Sequence, residues 1–187
     1  MAYIMCNSGG GSSVKDYDYY IENFTPDNNA ILLPLALLSS SIANKDFEIL
    51  FNFTNTAENP TAHCGIFGQS RSGSTSYAAI EFFVDEIGSD LNFYNRRIGN
   101  GSSDTVSLGY CDNKDILFRK TGSTYIIKVD GVQVATGNYS VDGGYAFNIS
   151  NSNSDLPYWS TLGYYSGSSS KQYFTGVINK FGFKWLT

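Results

Sequence analysis

The sequence predicts an all-β fold, an antiparallel sandwich of two sheets, on three observations. Tyr and Phe number 14 and 13, and Gly reaches 19 against only 4 Pro, a usage that suits pleated strands and tight turns. Short runs of alternating apolar and polar residues recur along the chain, and period two marks a strand with one buried face. Finally, residues 116–137, ILFRKTGSTYIIKVDGVQVATG, read as two successive hairpins. Asp130-Gly131 suits a two-residue type I′ turn, which needs positive φ at both centres. That turn sets Val129 against Val132, Lys128 against Gln133 and Ile127 against Val134. The same arithmetic round Gly122-Ser123 sets Phe118 against Ile127 and Ile116 against Val129, so both turns predict one apolar face: Ile116, Phe118, Ile127, Val129, Val132 and Val134.

Taken in order, the chain begins with a segment unlike the rest. Residues 1–30 hold a Gly/Ser joint (GGGSS, 9–13) and a polar, aromatic stretch (KDYDYY, 15–20), and are expected to form an arm ahead of a single domain, 31–187. At 187 residues the chain can bury roughly 70% of its unfolded surface without disulfides or metal. Phe47, Ile49, Phe51 and Phe53 alternate with Glu48, Leu50 and Asn52, giving a strand with an aromatic inner face. Residues 66–68 form a shorter strand. Over 77–85, Ile80, Phe82 and Val84 fall on one side and Ala79, Glu81, Phe83 and Asp85 on the other. Apolar residues on both sides predict a central position. Strands at 91–94, 105–110 and 145–149, a loop over 150–171 and a closing strand over 173–185 complete the series. About ten short strands and no helix fit a sandwich or jelly roll.

A formal charge of −5 argues against phosphate neutralisation and so against nucleic acid as a partner. The longest apolar run, 31–38, contains Pro34 and is far short of the roughly 20 residues of a membrane span. The start of the chain lacks the basic and apolar regions of a secretory signal, so synthesis in a cytosol is expected. Cys6, Cys64 and Cys111 are widely spaced and accompanied by one histidine, His63. Reduced thiols are expected, with neither a disulfide framework nor a zinc site.

Two motifs carry a family resemblance. Val129-Asp130-Gly131-Val132-Gln133-Val134 is similar to the hydrophobic-DG-x-hydrophobic turn of the concanavalin A-like jelly rolls, a family that includes laminin-G domains, pentraxins and lectin-like modules. Phe174-Thr175-Gly176-Val177-Ile178 resembles that family's closing F-x-G-x-I strand. The resemblance covers about 40–187 and implies the concanavalin A-like jelly roll as the fold. Members bind sugars, proteins or lipids, or hydrolyse glycans, so fold alone does not select the activity.

The glucanases of the family carry E-x-D-x-x-E on one strand; here Glu81-Phe82-Phe83-Val84-Asp85-Glu86 departs from it. Glu81 and Asp85 share a face but lie about 13 Å apart along the strand, beyond the roughly 5–9.5 Å of paired glycosidase carboxylates. His63 has no G-x-S-x-G elbow to serve. No enzymatic activity is expected, with glycoside hydrolase as the second alternative. No cofactor is expected. Calcium is a candidate ion, because laminin-G and pentraxin relatives bind it through loop oxygens, and Asp112, Asn113, Asp115 and Asp142 offer such oxygens.

The candidate ligand surface is the loop Asn151-Ser152-Asn153-Ser154-Asp155-Leu156-Pro157-Tyr158-Trp159, continuing to Tyr164. A pyranose has an apolar face and a rim of hydroxyls. Trp159, Tyr158 or Tyr164 could stack on the face while Asp155 and Asn153 bond the rim. Rings of this kind also line interfaces between subunits, which keeps homo-oligomerisation open. A lectin-like domain behind a Gly/Ser joint resembles the exposed appendages of bacteriophage particles: head fibres, capsid decorations and tail receptor-binding proteins. The resemblance implies assembly in the host cytoplasm, location on the virion surface, anchorage to other virion proteins through residues 1–30, and a host-surface receptor or glycan as partner. The alternative is a structural decoration protein that binds no sugar.

Overall fold

The computed structural model of the chain describes residues 5–6, 16–26, 30–33, 45–56, 64–70, 79–84, 90–96, 103–139, 160–165 and 172–186. They form fifteen strands: β1 (Met5–Cys6), β2 (Tyr19–Phe24), β3 (Ile31–Leu33), β4 (Asp46–Asn55), β5 (Cys64–Ser70), β6 (Ala79–Val84), β7 (Asp90–Arg96), β8 (Ser103–Tyr110), β9 (Ile116–Thr121), β10 (Thr124–Val129), β11 (Val132–Asn138), β12 (Ser160–Leu162), β13 (Tyr164–Tyr165), β14 (Gln172–Tyr173) and β15 (Gly176–Leu186). One sheet runs β1-β2-β15-β4-β9-β10-β11. The other, of eight strands, runs β13-β14-β5-β6-β7-β8 with β12 set between β5 and β3. Pairing is antiparallel except between β14 and β5. The fold is the expected sandwich.

The alternation in β4 sends Phe47, Ile49, Phe51 and Phe53 inward, all fully buried. Rings from the two sheets meet there: Phe51 and Phe82 centroids lie 4.9 Å apart, as do Phe67 and Phe181, and Phe93 lies 5.3 Å from Phe118. Such tilted and edge-on pairs add to what area burial supplies. Cys64 and Cys111 are buried thiols in this core, and burial pushes the Cys111 thiol up to about 11.

The double hairpin follows the predicted register over most of its length. Asp130 and Gly131 both have positive φ, 49° and 81°, and Phe118 faces Ile127, Ile116 faces Val129 and Val129 faces Val132. Ile127, however, faces Ala135 rather than Val134, because the ladder slips between Ile127 and Lys128 and leaves Val134 as the extra residue. A bulge of this kind twists an edge strand. Val132 and Val134 are 66% and 46% exposed and do not join the apolar face, since β11 ends its sheet.

Three further placements refine the sequence expectations. Residues 19–24, grouped by sequence with an arm, form β2, which pairs with β15 and buries Ile21; β1 pairs with β2 across the Gly/Ser stretch. The loop expected over 150–171 contains β12 and β13, pieces of three and two residues too short to show a period. The closing strand divides into β14 and β15 at Phe174 and Thr175. The strand expected at 145–149 lies outside the described residues.

Gly176, in the closing motif, has no room for a side chain. A Cβ there would stand 2.3 Å from the Thr54 carbonyl oxygen and 2.6 Å from the Phe174 ring. Gly176→Ala is therefore expected to force β15 away from β4 and to cost about 3 kcal/mol, read as a lower urea midpoint at unchanged slope. An unchanged midpoint would mean that the two strands can part freely.

Candidate functional site

The two sheets differ in what their outer faces carry. On the seven-stranded sheet Glu48 and Asp115 are neutralised locally. Glu48, 2% exposed, accepts hydrogen bonds from Arg119 Nε at 2.7 Å and lies 3.1 Å from Lys184 Nζ. The Tyr17 ring lies over Gly182 and under Lys184. Farther along, Asp115 accepts from Lys180 Nζ at 2.7 Å and Asn52 Nδ2 at 2.9 Å, and Asn179 donates to Asn52 and Thr54. This face is a ladder of mutually satisfied side chains.

The calcium candidates belong to the same ladder. Asp112 Oδ1 accepts from the Asn55 amide at 2.7 Å, Asp112 Oδ2 from Asn113 Nδ2, and Asn113 Oδ1 from the Thr54 hydroxyl. Their oxygens thus hold the β8–β9 turn against β4. Asp142 lies outside the described residues, among which no three His, Cys, Asp or Glu side chains group closely enough to hold a metal ion. Burial alone would raise the Asp115 carboxyl, but the Lys180 and Asn52 hydrogen bonds and the Lys180 charge outweigh it and hold it below its ordinary 3.8. A depressed folded value contributes stability that is present above the unfolded value and lost as pH falls through the folded one. Urea unfolding at stepped pH should show wild type losing stability below about pH 4 more steeply than Asp115→Asn. Parallel acid limbs would remove Asp115 from the acid response.

The outer face of the eight-stranded sheet is built differently. Register places two rows across β5 to β8: Gly68, Glu81, Tyr94, Thr105 and Gly65, Phe83, Asn92, Ser107. The sequence dictates this alternation, because Ile80, Phe82, Val84, Leu91 and Phe93 all turn to the core. β6 is central, as predicted, and apolar or buried on both sides. Glu81, Phe83 and Asn92 are 3%, 5% and 6% exposed; Tyr94 is half-buried, and Thr105 and Ser107 are exposed. Exposure along these rows therefore falls from β8 toward β6, and Glu81, Phe83 and Asn92 lie recessed below the surface. Gly68 makes room for Glu81: a Cβ there would meet Glu81 Cγ at 2.5 Å and the Ile80 carbonyl at 2.6 Å, so Glu81 lies across Gly68. Asn92 is steadied by a 3.3 Å bond from Nδ2 to the Asp90 carbonyl.

A buried carboxylate on the outward side of a sheet is uncommon, since charge is costly to remove from water. In a recess with an amide, a phenol and a phenyl ring, it supplies acceptors, donors and apolar surface within two strand repeats. That set can bind a polyhydroxylated molecule. Of the sequence-predicted ligand residues, Asn153, Asp155, Tyr158 and Trp159 lie outside the described residues, and Tyr164 pairs with Tyr173 in β13. The strand that follows in the sequence, β12, pairs Thr161 with Gly68, so residue 161 enters the sheet two strands from Glu81, with β5 between. In the sequence Glu81 stands out only as half of a catalytic pair, and Asn92 and Tyr94 do not stand out at all. One signal does point to the recess: an acid in the middle of a strand apolar on both sides.

No protein-family model matches the sequence, and no curated protein matches it. Solved structures match in shape. A mutant of the NanB sialidase from Streptococcus pneumoniae gives a TM-score of 0.61 at 17% identity, over 90% of this chain and 26% of the sialidase chain. The Ruminococcus gnavus IT-sialidase CBM40, solved bound to alpha2,3 sialyllactose, gives 0.58 at 14% identity over 90% of this chain and 93% of its own. The binding domain of botulinum neurotoxin DC, in complex with SialylT, gives 0.51 at 10% identity over 99% of this chain and 42% of that chain. This chain thus spans about a quarter of the sialidase and nearly all of the CBM40. The likeness establishes the fold, an antiparallel β-sandwich of jelly-roll type.

Proposed function

We propose that this protein is a non-catalytic glycan-binding module whose site is the outer face of the eight-stranded sheet. The observation that carries the reading is the set of side chains that register gathers on this face, Thr105 and Ser107 exposed, Tyr94 half-buried, and Glu81, Phe83 and Asn92 recessed below the surface beside them. Glu81 and Asn92 bond hydroxyls, and the Tyr94 ring offers a surface to an apolar sugar face. Asn153, Asp155, Tyr158 and Trp159, which precede β12 in the sequence, remain proposed ligand contacts. Support also comes from the shape match to the CBM40 solved with sialyllactose. Binding without catalysis fits the departure of residues 81–86 from the E-x-D-x-x-E pattern.

The proposal extends to setting: display on a bacteriophage particle, made in the host cytoplasm, with the N-terminal residues joining the domain to other virion proteins and the recess facing host glycans. The Gly/Ser-rich residues 9–13 ahead of β2 support it. The test of function is a glycan array probed with the full chain, with and without calcium. Retention of a defined set of glycans is expected; a blank array in both conditions would favour the structural decoration role.

A further inference from the structure

We propose that the glycan face continues past Asn92 to a second aromatic contact at Tyr110, so that the ligand is an oligosaccharide laid along β7 and β8 rather than a single terminal sugar. This rests on the glycan-binding reading above and adds to it a ligand length and a residue.

The observation is a change of parity in β8. Thr105 faces Tyr94 and Ser107 follows against Asn92, both on the outer side. Strict alternation would then put Gly109 outside and Tyr110 in the core. Instead Leu91 pairs with Gly109 while Asn92 pairs with Ser107, which leaves Leu108 as an extra residue. Gly109 has φ of 71°, open to glycine at little steric cost, and nothing stands within 4 Å of where its Cβ would be. The bulge returns Tyr110 to the outer side opposite Asp90, the side that Asn92 and Tyr94 share, and drops Cys111 into the core at 0% exposure. Bulges re-aim side chains in this way beside functional sites.

Tyr110 is 59% exposed, an aromatic ring mainly in solvent. It is nonetheless held. Lys114 Nζ donates to its carbonyl at 2.8 Å, its hydroxyl lies 3.4 Å from Asp112 Oδ2, and Asp112 is itself bonded to the Asn55 amide. A fixed ring loses little conformational freedom when a ligand stacks on it. Asp90, exposed and directly opposite, supplies an acceptor for sugar hydroxyls. From Asp90 to Tyr94 the strand covers about 13 Å, more than one pyranose ring needs. The strip therefore offers stacking surface at each end, Tyr94 and Tyr110, with Asn92 and Ser107 between.

The test is calorimetric titration of the full chain with a ladder of oligosaccharides, from mono- to hexasaccharide, built on the sugar that the array retains. Wild-type affinity is expected to rise with length and then level off. Tyr110→Ala should weaken the longest ligand about tenfold and leave the monosaccharide unchanged, while Tyr110→Phe behaves as wild type. Equal affinity at every length, or a Tyr110→Ala variant indistinguishable from wild type on the longest ligand, would overturn the extension while leaving the recess intact. Wild type that binds no glycan of any kind would overturn the reading beneath it and the extension together.

Discussion

Phe118→Ala is expected to lower the free energy of unfolding by about 4 kcal/mol, a larger loss than Gly176→Ala should cause. Phe118 is fully buried on β9. Its ring lies 5.8 Å from Phe47, 5.5 Å from Tyr125 and 6.2 Å from Tyr139, and across the sandwich 5.3 Å from Phe93 and 5.9 Å from Phe82. Alanine removes a ring that both sheets share, and rigid strands on either side collapse poorly into the space. Domains of this size are stable by only about 5–15 kcal/mol, so the variant would lose a large part of its margin. Urea titration should give a much lower midpoint at an unchanged slope. A loss below about 1 kcal/mol would mean that Phe118 does not join the sheets as its contacts indicate.

Glu81→Gln is expected to have the second largest effect, on binding rather than on stability. Glutamine keeps the shape of the side chain over Gly68 but replaces one carboxyl oxygen with an amide nitrogen that can only donate. Leaving a buried polar group without its partner costs about 1–3 kcal/mol, so affinity for a retained glycan should fall by roughly 5- to 150-fold. The unfolding midpoint should stay level, because the side chain keeps its volume. If Glu81 serves the fold alone, the same substitution would lower the midpoint and leave affinity where it was.

The core was legible in the sequence because period two and two turn dipeptides fix which residues face inward. Phe47, Phe51, Phe118 and Ile127 are where the alternation puts them. What failed did so for local reasons. Val134 departs from its predicted partner because a bulge at an edge strand leaves no mark in the hydrophobic pattern, and the bulge at Leu108 likewise hides the fact that Tyr110 faces outward. β12 and β13 are too short to carry a period. The candidate recess was harder still. A binding face is assembled across strands, and Glu81, Asn92 and Thr105 become neighbours of Gly68 and Tyr94 only once the register of β5 to β8 is known. The motifs at Asp130-Gly131 and Gly176 report turn and packing requirements, and so specify a fold without naming its ligand.

The most direct measurement is an amide NMR titration of the full chain with a glycan retained on the array. If the recess is the site, the largest shifts map to Glu81, Phe83, Asn92 and Tyr94 on β6 and β7 and extend toward Tyr110. Shifts confined to the outer face of the seven-stranded sheet, around Asn52, Asp115 and Asn179, would place the ligand on the other side of the sandwich and rule the recess out.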